Sequence, residues 1–177
     1  MNSINQNQSE QHHADLIGDN AIQKIKEIIE VAETCFFCTE VTTAHSATRP
    51  MSVQQVDDTG NLWFLSADGS HKNLELANYP EVKLYFQGSP HSSFLQIDGR
   101  ATVSKDKAKI KELWKPILKT WFTDGEDDPR ITLIKVVPVR GHYWDNKHGD
   151  IVAGVKMMIG AAIGKTIDDS IEGTMSF

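Results

Sequence analysis

The sequence predicts a mostly β protein of the α+β class, in which six antiparallel strands curl into a barrel with flanking helices. Three observations predict this fold. Short runs rich in β-branched and aromatic residues follow one another along the chain, turn signals separate them, and only two longer stretches have helical periodicity. A chain of 177 residues, 40% of them hydrophobic, is long enough to bury one sizeable core.

The strands are predicted at 35–43, 50–57, 61–66, 81–87, 93–104 and 131–145. Asp57-Asp58-Thr59-Gly60 is typical of a hairpin turn, and Gly88-Ser89-Pro90 separates the fourth strand from the fifth. Asp98-Gly99 predicts a bulge in the fifth strand, because the apolar residues around it do not alternate strictly. Pro138 predicts an edge or bulge position in the sixth strand.

Two amphipathic helices are predicted from apolar residues at three- and four-residue intervals. The first begins near Leu16, and its apolar stripe contains Ile22, Ile25, Ile28, Ile29 and Ala32. The second spans about 105–121, and its apolar face contains Ile110, Leu113, Trp114, Ile117, Leu118 and Trp121. A short helical stretch at 73–77 follows Ser70.

The domain organisation is one compact unit with two tails. Residues 1–12 are polar and are predicted to form a disordered tail, 13–166 the domain, and 167–177 a loose C-terminal tail. Residues 151–163 are compatible with a strand or a helix and are too few to span a bilayer. The sequence contains no signal peptide or spanning helix, so a cytoplasmic protein is expected.

The charge and the cysteines exclude several classes of function. A net charge of −6 argues against nucleic acid or an anionic membrane as the main partner, so an anionic ligand needs a local basic cluster. Cys35 and Cys38 fall in one predicted strand, where residues three apart point to opposite faces. They are therefore interpreted as small buried residues in a reducing compartment, not as a redox pair or a metal site.

The residues with the clearest chemistry lie around a strand-to-helix turn. Ser70, His71 and Lys72 follow the strand at 61–66 and precede the helical stretch. The start of a helix presents free backbone N–H groups and a partial positive charge, which suit an anion such as phosphate. Lys72 adds a full charge, and Arg49, at the entry of the preceding strand, is expected to reach the same ligand.

These motifs resemble a known family. The segments TRPMSVQ, GNLWFLSADGSHKNLEL, PEVKLYFQ, LQIDGRATV, ELWKPILKTWFTDGEDDP and GHYWD occur in the order found in the pyridoxamine 5'-phosphate oxidase-like, FMN-binding split β-barrels, especially their general stress protein branch. The resemblance covers about residues 20 to 165. It implies FMN as cofactor and a homodimer with FMN at the subunit interface.

The resemblance also implies a set of cofactor-binding residues. Phosphate contacts fall on Arg49, Ser66, Ser70, His71 and Lys72, and backbone contacts to the flavin on Pro50, Met51, Ser52 and Leu65. Gln54 stands in the place of a family lysine beside the isoalloxazine ring, and Trp121 and Phe122 are candidate walls of the flavin pocket. Core packing on the amphipathic helix is the alternative for Trp121 and for Trp114.

Two departures from the family argue against vitamin B6 oxidation. Gln54 is neutral and cannot stabilise an anionic reduced flavin as a lysine could. After Tyr143-Trp144 the chain continues Asp145-Asn146-Lys147-His148-Gly149, where the oxidase has a basic motif that holds the substrate phosphate. The protein is therefore not expected to be a genuine pyridoxamine phosphate oxidase.

Three functions remain open at the level of the sequence. The first is a flavin-dependent oxidoreductase of unknown substrate with a stress-related role, whose redox chemistry the flavin supplies. The second is a non-catalytic module that stores, delivers or senses FMN, since no catalytic acid, base or nucleophile is identifiable. The third is a haem-handling relative, with His45, His91 and His142 as candidate axial ligands. No metal site is predicted.

Overall fold

The computed structural model describes residues 12–89, 93–147, 158 and 169–177. They form nine strands and three α-helices, which in chain order are β1 (Leu16–Ile17), α1 (Asp19–Ala32), β2 (Thr34–Thr39), β3 (Ala47–Ser52), β4 (Gln55–Val56), β5 (Leu62–Ala67), α2 (His71–Asn78), β6 (Glu81–Gln87), β7 (Phe94–Ser104), α3 (Lys107–Leu113), β8 (Ile131–Asn146) and β9 (Ser170–Ser176). Two short 3-10 helices, Pro116–Thr120 and Gly125–Asp127, lie between α3 and β8.

The strands belong to one sheet with the order β1-β9-β8-β7-β6-β2-β3, and β5 pairs with both β8 and β4. All pairs are antiparallel except β1 with β9. The predicted mostly β, α+β class is therefore confirmed. The described sheet has nine strands and not the predicted six, because the strand predicted at 50–57 is divided in two and the terminal strands β1 and β9 join the sheet. β3 pairs only with β2 and is an edge strand of the described sheet.

The strand predicted at 50–57 is divided into β3 and β4. The N–H of Val53 donates to the carbonyl of Glu33, and the N–H of Gln54 donates to the carbonyl of Trp63, over 2.9 and 2.8 Å. The chain thus leaves β2 after Ser52 and turns to β5. The division matters because it lets Gln54 line a cavity instead of continuing the edge of the sheet.

A bulge shifts the pairing of β7 with β8. Asp98 is opposite Arg140, whereas Gly99 is opposite Pro138, so Val139 is the extra residue. The predicted bulge and the predicted position of Pro138 are confirmed, but the extra residue belongs to β8 and not to β7. A side chain at Gly99 would overlap Cγ1 of Val136 and the carbonyl oxygen of Val137, so glycine permits this close approach.

Two hydrophobic clusters lie on opposite faces of β5. Leu62 and Phe64 belong to the main core, where Phe37 and Phe64 pack edge to face with ring centroids 5.2 Å apart. The second core covers the other face with Ile110, Leu113, Phe122, Ile131 and Leu133. Strand alternation explains why β5 and β8 contribute to both cores.

The predicted helix at 105–121 is interrupted. Its first part, α3, is capped by Asp106, whose carboxylate accepts from the N–H groups of Ala108 and Lys109. It ends at Leu113 because Trp114 and Lys115 have extended backbones, and Pro116 disfavours helical geometry in the residue before it. The chain continues as a 3-10 helix, which changes the direction of Trp121.

The prediction of a loose tail after Thr166 was wrong for the C-terminal residues. β9 pairs with β8 from Arg140 to Asn146 and with β1 on its other side. Gly173 faces the N-terminal segment so closely that a Cβ there would overlap the carbonyl oxygen of Ala14. Residues 1–11 and 151–157, together with 159–168, lie outside the described residues, as do the predictions that fall on them.

Both cysteines are free and buried, as predicted. Burial raises the pKa of Cys35 to about 12, and the neighbouring Cys38 adds to this effect, so the Cys35 thiol stays protonated near neutral pH. Oγ1 of Thr48 donates to Sγ of Cys38 over 3.2 Å. Within the part of the chain that the structure describes, no helix is both long enough and apolar enough to cross a membrane.

Candidate functional site

An ion pair joins the edge strand β3 to helix α2. Nη1 of Arg49 donates to Oε2 of Glu75 over 2.7 Å, and Oγ1 of Thr39 donates to the same oxygen over 2.5 Å. Only 23% of the Arg49 side chain and 18% of the Glu75 side chain are exposed. Burial alone would raise the pKa of Glu75, but hydrogen bonds from Thr39 and Arg49 and the charge of Arg49 outweigh it and lower that pKa. The ionised Glu75 therefore holds the Arg49 guanidinium in place.

Lys72 is a second cation beside this pair. Burial lowers the pKa of its ammonium group, the charge of Arg49 lowers it further, and Glu75 opposes both effects. Among the described residues no carboxylate oxygen lies within 4 Å of Lys72 Nζ. Arg49 and Lys72 thus lie close enough for their charges to interact, and the Glu75 carboxylate forms its ion pair with Arg49.

The first turn of α2 adds backbone donors to this cluster. Ser70 is the N-cap residue, and its side chain makes no capping hydrogen bond. In the described part of the chain, the N–H groups of His71 and Lys72 donate to no backbone acceptor, whereas those of Asn73 and Leu74 donate to the carbonyl of Ser70. The side chain of His71 is exposed. Two free N–H groups and two cations are thus available for an anion.

A buried polar network fixes the start of α2 against the sheet. Oγ of Ser66 lies 3.1 Å from Oγ of Ser70 and donates to Oδ1 of Asn73 over 2.9 Å. Nδ2 of Asn73 donates to Oγ1 of Thr132 over 2.9 Å, and that hydroxyl donates to the carbonyl of Ser66 over 3.1 Å. Ser66 is 3% exposed. The Ser66 and Ser70 hydroxyls, predicted as ligand contacts, therefore also position the helix.

Some residues of this site were missed at the level of the sequence. Glu75 lies three positions after Lys72 on a helical stretch, a spacing that places two side chains on one face and could have revealed it. Thr39, Asn73 and Thr132 carry no such signal, because their contacts join segments that are distant in the sequence.

Strand β3 leads from the cation cluster toward a second group of predicted residues. Arg49 and Met51 face inward, and Met51 packs against the main core, whereas Pro50 and Ser52 are exposed. From Arg49 to Ser52 the strand extends about 10 Å at ~3.3 Å per residue. The backbone of an edge strand keeps unpaired polar groups along this length, which a planar ligand can contact.

A cavity of about 550 Å³ opens at the end of β3, between the last turn of α1, the β3–β4 connection and the 3-10 helix Pro116–Thr120. Ser52, Gln54 and Trp121 are among its lining residues. Nε2 of Gln54 donates to the carbonyl of Ser52 over 3.2 Å, and this bond fixes the orientation of the amide. Oε1 of Gln54 is buried and accepts no hydrogen bond from the described residues.

The other residues predicted to contact the flavin divide between the cavity and the second core. Trp121 is 64% exposed and lines the cavity, whereas Phe122 is 6% exposed, belongs to the second core and is not among the residues that line the cavity. Leu65 packs against the second core, on the face of β5 opposite Ser66. Trp114 also packs there, as the core-packing interpretation predicted.

The candidate haem ligands are not brought together where the structure describes them. His45 is exposed in the connection between β2 and β3, while His142 on β8 contacts Trp144, with ring centroids 4.2 Å apart. His91 lies outside the described residues. No group of three or more His, Cys, Asp or Glu side chains with metal-binding geometry occurs in the ranges that the structure describes.

The site combines a compact cation cluster with the exposed edge of β3. Arg49, Lys72 and the first turn of α2 fit a phosphate, because charged and backbone donors converge there. Arg49 is paired with Glu75, whereas Lys72 has no carboxylate within 4 Å among the described residues. The positive charge of Lys72 therefore favours an anion and not a further cation. The backbone of β3 offers hydrogen-bonding groups to a planar ring. This combination suits a ligand that carries both a phosphate and a planar ring.

Comparison with known proteins identifies the family. The family model described as pyridoxamine 5'-phosphate oxidase like matches residues 20–168, and the chain belongs to this family. Protein bli-3 of Neurospora crassa is 26% identical over 110 residues, which are 57% of this chain and 53% of that protein. The chain thus spans about half the length of this curated relative.

Solved structures support the same fold. A structure assigned to general stress protein 26 of Jannaschia sp. CCS1 has a TM-score of 0.73 and 22% identity, and it covers 88% of this chain and 97% of its own. The general stress FMN/FAD binding protein of Xanthomonas citri has a TM-score of 0.57 and 23% identity, with coverages of 67% and 82%. These likenesses show that the chain shares the split-barrel fold of these structures.

Proposed function

We propose that this protein binds FMN and acts as a flavin-dependent oxidoreductase with a stress-related role in the cytoplasm. The observation that carries the proposal is the convergence of Arg49 and Lys72 on the first turn of α2. The phosphate would occupy that cluster, and the ring would lie along β3 toward Gln54. The Xanthomonas citri protein of the same fold is an FMN/FAD binding protein, which is consistent with this ligand class.

The bound flavin would supply the hydride and electron chemistry, and the protein would supply position and surroundings. Arg49 and Lys72 would neutralise the phosphate, and Glu75 would hold the guanidinium toward it. The backbone of β3 would orient the ring edge. Gln54 would lie near the ring and would add no positive charge there.

The test compares FMN with riboflavin, which lacks the phosphate. Lys72→Ala should weaken FMN binding by about 10- to 100-fold, because a charge-assisted contact contributes roughly 1.5–3 kcal/mol, and should leave riboflavin binding unchanged. Lys107→Ala is the matched control, since Lys107 is an exposed lysine at the start of α3. Equal losses for both ligands would place Lys72 away from the phosphate.

The alternative function is a non-catalytic module that stores or senses FMN. The neutral Gln54 in the place of a family lysine favours it, because an amide stabilises an anionic reduced ring poorly. Anaerobic titration of FMN-loaded protein with NADH and NADPH separates the two functions. Bleaching of the flavin absorbance supports the oxidoreductase, and a spectrum inert to both donors supports the module.

We also propose a homodimer with the flavin at the subunit interface. The outer face of the sheet presents a row of apolar side chains across three strands: Pro50 on β3 is opposite Phe36 on β2, which is opposite Tyr85 on β6. Phe36 is 61% exposed and Tyr85 is 41% exposed. An exposed apolar row of this kind favours association, and a second copy would cover it.

A further inference from the structure

We infer that the cavity of about 550 Å³ is a separate ligand site, selective for a planar apolar amine that donates a hydrogen bond to Oε1 of Gln54. Its volume falls in the range of small-molecule sites. The inference rests on the proposed function in one respect: the ligand would lie beside the flavin ring. The affinity of the cavity for the amine does not require flavin.

The first observation is the unmet acceptor of Gln54. A buried carbonyl oxygen without a donor costs stability, and an N–H from a ligand removes that cost. Its neighbour Gln55 also lines the cavity, but its amide is fully engaged. Nε2 of Gln55 donates to Glu112 over 3.3 Å, and Oε1 accepts from Lys109 over 2.6 Å. Gln54 alone of this pair presents a free acceptor to a ligand, and the ligand must supply the donor.

The second observation is the charge of the cavity wall. Glu30 and Glu33 line it and form no ion pair among the described residues. Lys26 also lines it, but its Nζ is 2.8 Å from a carboxylate oxygen of Asp58 and is neutralised there. Lys115 supplies one positive charge. The uncompensated balance is negative, and the C-terminal end of α1 adds a further partial negative charge. A cation is favoured over an anion.

The third observation is the apolar surface at the mouth. Trp121 is 64% exposed and Ile117 is 67% exposed, and both line the cavity. Large side chains at this degree of exposure are unusual away from binding surfaces when they are contiguous. A flat ring system can stack on the Trp121 indole, and an ammonium group is attracted to the face of that ring. The three observations together select a planar body and a cationic N–H donor.

The experiment measures dissociation constants for three probes of matched shape by ligand-observed NMR titration. 2-Naphthylmethylamine carries the cation, 2-naphthoate the anion and 2-naphthalenemethanol a neutral group. The amine should bind at least about tenfold more tightly than the carboxylate, in both flavin-free and FMN-loaded protein, a difference of ~1.4 kcal/mol. Carboxylate binding as tight as amine binding would overturn the inference, and so would competitive displacement of the amine by FMN.

Variants connect the preference to named residues. Gln54→Glu should tighten amine binding several-fold and weaken carboxylate binding, and a merely structural role would not change the two affinities in opposite directions. Gln54→Leu should weaken the amine, and Gln23→Leu, at an exposed site on α1, should not. Unchanged amine affinity in both Gln54 variants would contradict the inference.

A charge-matched pair of double variants excludes a general effect of the acidic protein. Glu30→Gln with Glu33→Gln should abolish the preference for the amine. Glu126→Gln with Asp127→Gln changes the net charge equally at a turn whose residues do not line the cavity, and should preserve it. The same loss in both pairs would refute a local site. Lys72→Ala tests the amine site separately from the proposed function, because this variant should lose FMN binding and retain amine binding.

Discussion

Glu75 accepts hydrogen bonds from Arg49 and Thr39 through one carboxylate oxygen, and it thereby ties an edge strand to the helix that begins the candidate site. The pair leaves Lys72 without a carboxylate of its own within 4 Å among the described residues. Arg49 therefore stabilises the free protein, whereas the charge of Lys72 is unfavourable until an anion binds. The two cations therefore have opposite effects on the stability of the ligand-free protein.

Lys72→Met should leave the free energy of unfolding of flavin-free protein unchanged or raise it by up to about 0.5 kcal/mol, because the ammonium is only half-buried and solvent screens its repulsion. Arg49→Met should lower that free energy by about 1–2 kcal/mol, because it leaves the Glu75 carboxylate without its cation. Urea unfolding at pH 7 measures both. A loss above about 1 kcal/mol in Lys72→Met would mean that Lys72 has a structural partner.

Phe36→Lys should convert the proposed dimer to a monomer. A lysine in the apolar row of Phe36, Pro50 and Tyr85 would place a charge in the interface, which weakens association by about 100-fold, or ~2–3 kcal/mol. Sedimentation velocity at micromolar concentration measures the outcome. Val31→Lys is the control, because Val31 is 66% exposed on α1 and lies outside the row. Monomeric wild-type protein with full FMN affinity would refute the shared site.

Asp57→Asn should destabilise the protein by about 2 kcal/mol at pH 7. The Asp57 carboxylate accepts from Thr59, from Asn61 and from Nε1 of Trp63, the last over 2.9 Å. An asparagine would turn an NH₂ group toward some of these donors. Asp58→Asn is the control and should change stability by less than about 0.5 kcal/mol, because that side chain is fully exposed.

The effect of Asp57→Asn should depend on pH in a defined direction. Burial would raise the pKa of Asp57, but the hydrogen bonds that it accepts lower that pKa far below its ordinary value of 3.8. A carboxylate with a lowered pKa stabilises the fold above its unfolded pKa, and this contribution is lost as the pH falls. The stability difference between wild type and variant should be largest near pH 7 and shrink below about pH 4. A constant difference would contradict this origin.

Gly173→Ala should detach the N-terminal segment from β9. A Cβ at this position would overlap the carbonyl oxygen of Ala14, and backbone cannot move aside as a flexible side chain can. We expect a loss of at least about 2 kcal/mol and faster amide exchange at Ala14 and Gly18, whose N–H groups donate to β9. Gly69→Ala is the control, because its φ of +69° adds backbone strain while open space surrounds it. Equal effects would mean that close packing at Gly173 is unimportant.

The main strands were predictable because each combines a pattern of apolar residues with a turn signal at its end. β9 was not, because its inward positions include Gly173, and its pairing depends on strands far away in the sequence. The break after α3 could have been predicted from Pro116, which the helical periodicity of the surrounding apolar residues obscured.

The candidate site was predictable only at the positions that its motifs share with the family. Arg49 and Lys72 lie together as expected, since the strand-to-helix turn fixes the start of α2. The pairing of Arg49 with Glu75 depends on how α2 packs against β2 and β3, which no local pattern specifies. Trp121 and Phe122 are adjacent in the sequence and directly follow the 3-10 helix that ends at Thr120. Trp121 is nevertheless exposed, whereas Phe122 is buried in the second core.

The extra residue at Val139 determines which insertions and deletions β8 can tolerate in evolution. Before it, Val136 faces the main core; after it, Tyr143 does, so the two parts of the strand are out of phase by one position. Loss of Val139 would restore strict alternation and leave Tyr143 facing inward, with its hydroxyl on the carbonyl of Ala14, whereas pairing Val139 within the ladder would turn Trp144 inward. An ungapped alignment with a relative that lacks the bulge would therefore equate inward residues with outward ones along half of the longest strand.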